Sequence, residues 1–350
     1  MRNCALICAA AVLALACTAS ATSIYVHWNG FDGDYETIQE GINAAGEGDT
    51  VLVAGGDYSG PGNRDITFGD HNLVVRSEWG ITDVTLDCGD TSRGFELNNT
   101  GQDSSTVIRG FRFVNAGDGS NGGTISIYGC SPVIEFCEFI SSSAGNGGAI
   151  YYGYNTTPGA IRNCIFDGNT CSGFGGGIAI DHADQLDITD CVFFDNESTS
   201  SFGGAIGGNG VTGPVTIDRC TIVRNNAVNF SGAMFFDSTA AGTVTVTNTV
   251  IALNSNWPTY SSACATSHCV VYGNASGDSL SGSYHDNLFT DPLFCDESTD
   301  DFEVCADSPC LQGDPENPWG EQVGFYGSGC PDCDSPVEES TWGSIKTLFR

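Results

Sequence analysis

Apolar residues recur along this chain in short runs, two positions apart, between polar and glycine-rich corners, and the long central stretch shows no helical periodicity. Five segments stack without gaps: Val133-Ile-Glu-Phe-Cys-Glu-Phe139, Ala160-Ile-Arg-Asn-Cys-Ile-Phe166, Asp187-Ile-Thr-Asp-Cys-Val-Phe193, Thr216-Ile-Asp-Arg-Cys-Thr-Ile222 and Thr245-Val-Thr-Asn-Thr-Val-Ile251. Their fifth positions, Cys137, Cys164, Cys191, Cys220 and Thr249, are 27, 27, 29 and 29 residues apart, and Val107-Ile-Arg-Gly-Phe-Arg-Phe113 extends the series upstream by 26. A near-constant period of this size means stacked supersecondary units rather than separate domains. Cys164 and Phe166 share one strand face, whereas Ile161, three residues before Cys164, would lie on the other face of a flat strand. All three are apolar, so the backbone must bend between them. Each unit is therefore a coil of short strands joined by corners, every strand with an inward face.

A second block repeats in step: Gly122-Gly-Thr-Ile125, Gly147-Gly-Ala-Ile150, Gly175-Gly-Gly-Ile178, Gly203-Gly-Ala-Ile206 and Ser231-Gly-Ala-Met234. Glycine pairs suit a tight corner and close backbone approach. Five residues after each Cys or Thr stand Asn169, Asn196, Asn225 and Asn254, with Ser142 in the earliest of these coils. Asparagine tolerates the left-handed conformation, and stacked side-chain amides hydrogen-bond one another. These features predict an all-β fold, a right-handed parallel β-helix solenoid. Residues 50–290 would make roughly nine coils, a rod about 43 Å long at about 4.8 Å per coil.

The elements Phe166-Asp-Gly-Asn169, Phe193-Phe-Asp-Asn196, Gly147-Gly-Ala-Ile150 and Gly203-Gly-Ala-Ile206 resemble the FxxN and GGA[ILV] repeats of polymorphic outer membrane proteins. Tyr35-Glu-Thr-Ile-Gln-Glu-Gly-Ile-Asn-Ala-Ala45, followed by Gly48-Asp-Thr-Val-Leu-Val53, is similar to the opening of pectin-lyase-like β-helix proteins. Ile38, Ile42 and Ala45 fall on one helical face, so this segment is expected to plug the open end of the solenoid. Asp291-Pro-Leu-Phe294, Ser308-Pro-Cys310 and Val323-Gly-Phe325 likewise resemble the closing segment of secreted bacterial β-helix proteins. The resemblance speaks for fold more than for activity. A membrane barrel such as polymorphic outer membrane proteins carry has no room in 350 residues beside the solenoid.

Arg2, an apolar stretch from Ala5 to Ala16 and Ala19-Ser20-Ala21 have the layout of a secretory signal peptide over residues 1–21. The expected organisation continues with an N-terminal strand and capping helix (22–49), the parallel β-helix (50–290), a loop-rich, cysteine-containing C-terminal cap (291–333) and a linker with a sorting tail (334–350). Trp342, Ile345, Lys346, Leu348, Phe349 and Arg350 give that tail an amphipathic, locally basic end. No later segment reaches the roughly 18 to 20 apolar residues of a membrane span, so no transmembrane segment is predicted. The expected product is secreted or held at the cell surface. With 43 acidic residues against 11 Lys plus Arg, the formal charge is −32, which opposes nucleic acid and anionic membranes as partners.

Cys137, Cys164, Cys191 and Cys220 are expected to point inward one above another, as small hydrophobes or as inter-coil disulfides. In the tail, Cys295, Cys305, Cys310, Cys330 and Cys333 suit disulfides, as exported loops with little core do. Cys330-Pro-Asp-Cys333 lacks the second pair or histidine that a zinc site needs. No metal ligand set or cofactor is read from the chain, although its many Asp-bearing corners are candidate Ca2+ sites. Asn155-Thr-Thr157, Asn196-Glu-Ser198 and Asn274-Ala-Ser276 match the glycosylation pattern at a frequency expected by chance, and no function is attached to them.

If Ile125, Ile150, Ile178, Ile206 and Met234 point inward, the residues one and three further on point outward. Tyr128, Tyr151, Asp181, Asn209, Phe235 and Asp237 then share one surface. Rings beside carboxylates and amides suit a sugar, whose C–H faces they cover and whose hydroxyls they bind. Asp181 and Asp237, two coils or about 9.6 Å apart, approach the spacing of inverting glycosidases, with His182 alongside. The closely grouped aspartates of polygalacturonase-like hydrolases are missing. Lyase chemistry on a uronate would need Lys or Arg. Lys346 is the only lysine, and Arg109, Arg162, Arg219 and Arg224 are not expected to form one column. The reading is therefore a monomeric, adhesin-like or carbohydrate-binding protein without clear catalytic machinery, its partners glycans or surface proteins. The alternatives are a neutral-polysaccharide hydrolase using Asp181 and Asp237, and a structural envelope rod.

Overall fold

The computed structural model describes residues 21–330 apart from 31–34, 82, 99, 100, 118, 156, 238 and 240–242. The leader and the tail from Pro331, with Cys333, lie outside the described residues. The chain winds as a parallel β-solenoid with three walls. The first wall has eleven strands from Ser23–Val26 to Ser283–His285, the second nine from Gly56–Ser59 to Val270–Tyr272, and the third eight from Ile66–Thr67 to Trp257–Tyr260. A short four-stranded ladder, Ser143–Ala144 to Asn226–Ala227, lines the corner between the second and third walls.

Eleven coils, rather than nine, follow from both ends. Ser23–Val26 already pairs with Thr50–Val53, one turn ahead of the expected start. At the far end the coils shrink, so that partners such as Asn254 and Asn274 lie only 20 residues apart, and Cys269 and Asn287 only 18. Those coils lose their long corners, and the last of them also loses its third-wall strand, which a fixed period of 27 cannot anticipate.

The interior is one continuous apolar column. Phe113, Phe139, Phe166 and Phe193 stack face to face at 5.2, 4.8 and 4.5 Å between centroids. Beside them Cys137, Cys164, Cys191 and Cys220 are fully buried free thiols, joined downstream by Thr249 and Cys269 in the same core. Burial pushes the thiols of Cys137 and Cys191 well above their ordinary range, which leaves them neutral hydrophobes. The asparagine corner is a ladder: Nδ2 of Asn169, Asn196, Asn225 and Asn254 each donates to Oδ1 of the next coil's asparagine at 2.9–3.0 Å. Ser142 opens it and Asn274 closes it. The glycine pairs precede the third wall. Gly147, Gly175 and Gly203 have φ of +63, +73 and +67, and a Cβ on Gly148, Gly176 or Gly204 would lie within 2.4 Å of a neighbouring coil's carbonyl oxygen.

The helix Ile38–Ala44 forms as expected, with a capping box between Thr37 and Glu40. It buries Ile38 and Ile42 against the first strands of the first and third walls. Residues 291–330 lie along the outer face of the second wall. Phe302 and Tyr326 pack with Ile165, Val192, Phe194 and Val223, and Val304, Cys310 and Val323 with Val250, Ala252 and Val270. Those strands are apolar on both faces, as a doubly covered parallel strand must be. The upstream strands of the same wall instead present Arg112 and Glu138, a partly buried ion pair at 3.3 Å. Cys295 and Cys330 form a disulfide within this covering segment, with the Cys305 sulfur 3.4 Å from that of Cys330.

Candidate functional site

The third wall carries the predicted surface, and its register follows the repeat. Ile125, Ile150, Ile178, Ile206 and Met234 pair in one inward row. Tyr128, Gly153, Asp181, Asn209 and Asp237 form one outward row, and Ser126, Tyr151, Ala179, Gly207 and Phe235 the other. Sequence reasoning therefore brings the six residues to one wall. Their accessibility is another matter. Tyr151 is only 3% exposed and Phe235 only 6%, so neither offers a free ring face. This corrects the expectation that both face solvent as platforms.

Missing side chains explain both cases. Gly153 leaves a gap over which Tyr151 lies, its ring within 3 Å of where a Cβ would stand. The Tyr151 hydroxyl thereby reaches Asp181 Oδ2 at 2.8 Å. Gly207, the ladder partner of Phe235, leaves the wall bare beside the corner residue Phe174, and the next corner residue, Phe202, covers Phe235 at 4.0 Å between centroids.

Asp181 is the fixed centre. Its Oδ1 accepts from Asn209 Nδ2 at 3.1 Å and contacts His182 Nδ1 at 2.7 Å, while Oδ2 takes the Tyr151 hydroxyl. Burial and this bond to an anion push the Tyr151 hydroxyl well above the usual phenol range, so it stays a donor at any working pH. The carboxylate is thus held by three groups of the chain itself.

Two aromatic margins border this row, and the sequence reading missed most of both. On one side Tyr128, Tyr154 and His182 stack at 4.8 and 5.0 Å. Tyr154 and His182 occupy left-handed corners, φ +57 and +50. Tyr128 and Tyr154 are tilted by 31°, whereas Tyr154 and His182 lie nearly parallel at 11°, so each ring covers part of its neighbour's face. On the other side Phe174, Phe202 and Phe230 each stand one residue before the glycine block. Phe230, Tyr260 and Trp257 are 38–42% exposed and in mutual contact at 4.9 and 5.6 Å. The signal was present: Phe174, Phe202 and Phe230 recur at 28-residue intervals, as do Tyr154 and His182. It lies in corner columns, where side-chain direction does not follow from strand alternation.

On the first wall, Arg109 and Arg162 occupy one column after all. Arg76 pairs with Arg109, Arg109 with Glu135 and Glu135 with Arg162. The buried Glu135 binds Arg109 at 2.9 Å and Arg162 at 2.7 Å. Arg109, Glu135 and Arg162 are the third positions of aligned repeat segments, so that part of the column was legible; Arg76, 33 residues before Arg109, falls outside the 26–29 period. Among the described residues, the set of three or more metal-ligand side chains within 4.8 Å of one another is Cys295, Cys305 and Cys330.

Fold and walls together define the class: an all-β parallel β-solenoid, a fold suited to a surface or structural role, with a polar row between two aromatic margins. No protein-family model, curated protein or solved structure matches the chain.

Proposed function

We propose that the chain is an exported, non-catalytic contact protein whose third wall binds neutral glycans, in the manner of an adhesin or carbohydrate-binding module. One observation carries this reading: the fixed acceptor Asp181, bonded to Asn209 and His182, stands in the same outward row as Tyr128 and next to the stacked Tyr154–His182 pair. Such an arrangement offers sugar hydroxyls preorganised donors and acceptors, and the Phe230, Tyr260 and Trp257 margin offers apolar area for C–H faces. A bound neutral sugar also avoids the repulsion that a chain of net charge −32 exerts on acidic polymers.

The hydrolase alternative is disfavoured because Asp181 already accepts from Tyr151 and Asn209 and contacts His182. The test is a glycan array probed with the chain from Thr22. Binding of neutral glycans that falls at least tenfold in both Tyr154→Ala and Asp181→Asn supports the reading. Binding unchanged in both variants, or no binding, removes it. Turnover of a bound glycan that Asp181→Asn abolishes would establish the hydrolase instead.

A further inference from the structure

We infer that a separate site, at the N-terminal end of the first wall, binds an oxyanion attached to a flat apolar group. It is independent of the third-wall reading. Arg76 and Arg109 are direct register partners on adjacent strands, so two guanidinium-bearing side chains leave the wall about 4.8 Å apart. Like charges placed this way are destabilising unless an anion lies between or beside them. Arg109 has one, since Glu135 takes its Nη1 at 2.9 Å, but Glu135 is shared with Arg162. Among the described residues Arg76 is paired with no carboxylate, and its Nη1 donates to its neighbour's carbonyl, Ser77 O, at 3.1 Å. In a chain with 43 acidic residues against 11 Lys plus Arg, an arginine paired with no carboxylate and placed against a second arginine is the reverse of what composition predicts.

The two arginines line a cavity of about 180 Å³ with Ser77, Glu78, Trp79 and Phe136. The Arg109 guanidinium lies over the Phe136 ring at 4.4 Å, a contact that helps hold its position. Trp79 is 69% exposed and stands between this basic hollow and a larger acidic one lined by His27, Glu78 and Asp83. Glu78 is the one carboxylate lining the basic hollow, against two arginines. At physiological salt, fields decay over about 8 Å, so this local excess rather than the total charge governs a small anion at the site. The guanidinium forks recognise the oxyanion, and the indole covers the apolar part of the same molecule. Carboxylates, sulfates and phosphates share the required chemistry.

Trp79 supplies the readout. In the chain from Thr22 at 0.15 M salt, its indole N–H resonance, identified by its loss in Trp79→Phe, is followed during titration with benzoate, inorganic sulfate and benzyl alcohol. Benzoate is expected to shift it saturably, sulfate to do so more weakly, and benzyl alcohol not at all. Arg76→Gln should weaken benzoate at least tenfold, and Arg76→Lys, which keeps the charge without the fork, severalfold. Neither substitution removes an ion pair with a carboxylate, and Arg76→Lys carries the test should Arg76→Gln fold poorly. Sulfate binding as tight as benzoate would assign a plain anion site and overturn the apolar half of the proposal. Absence of saturation, equal affinity in wild type and the Arg76 variants, or an equal response to benzyl alcohol would overturn the site itself.

Discussion

Replacing Asn196 by Ala tests the corner ladder where it is most complete. The Asn196 side chain is fully buried and takes part in five hydrogen bonds. Its Nδ2 donates to Phe166 O, Phe194 O and Asn225 Oδ1 at 2.9, 3.1 and 2.9 Å. Its Oδ1 accepts from the Asn169 backbone N–H at 3.0 Å and from Asn169 Nδ2 at 2.9 Å. Each bond contributes about 1 kcal/mol net, and a buried polar group left without a partner costs about 1–3 kcal/mol. Asn169 Nδ2 keeps Phe139 O, and Asn225 Oδ1 keeps the residue-196 backbone N–H, so those two groups are not orphaned. The Phe194 carbonyl likewise keeps the Gly168 N–H at 3.1 Å, so the Asn169 backbone N–H bears most of the loss. The expected destabilisation is about 4–6 kcal/mol, measured by equilibrium urea unfolding followed by far-UV circular dichroism. Because a solenoid can open locally, hydrogen exchange supplies a second measurement: the residue-169 amide should lose protection ahead of amides several coils away. Asn229→Ala, which removes one exposed bond from Nδ2 to Ser200 O, should cost under about 0.5 kcal/mol. A loss in Asn196→Ala no larger than in that control, with protection at residue 169 intact, would refute the ladder as a source of stability.

Two further outcomes follow from the packing between coils and from the charges on the second wall. Gly176→Ala should destabilise by at least about 3 kcal/mol in the same unfolding assay, because its Cβ would meet Gly204 O at 2.3 Å and Glu197 N at 2.6 Å, both rigid backbone; a loss under about 1 kcal/mol would contradict this. Asp167 is raised to about 6 by burial and by the nearby Asp300, Asp195 and Glu138, against the opposing pull of Arg224. A folded-state value above the unfolded one adds stability below the unfolded range, and that gain disappears as pH rises through about 6. Asp167→Asn should therefore raise the urea midpoint over wild type at pH 7.5 and give no such gain at pH 4. Equal effects at both pH values would refute the assignment.

What was legible beforehand was everything that translation along an axis repeats. A period of 26–29 residues with inward Ile, Phe and Cys requires coils stacked in register. Register alone then puts Asp181, Asn209 and Asp237 in one row, Cys164 over Cys191 and Asn196 over Asn225. The helix over Ile38–Ala44 was legible because its capping box and apolar face are local.

Only the tertiary structure decided what the corners and ends do. Tyr151 and Phe235 point outward as strand alternation requires, yet they are covered because the Tyr151 ring folds over Gly153 and the corner residue Phe202 packs on Phe235. The row Arg76–Arg109 exists because hydrogen bonding aligns strands whatever the length of the loop between them. Residues 291–330 lie along the second wall because its later strands are apolar on both faces and need a cover. Sequence periodicity fixes which residues share a column, since that depends on backbone pairing. Exposure depends on side chains arriving from corners of unequal length, and their directions are set only when the coils are packed.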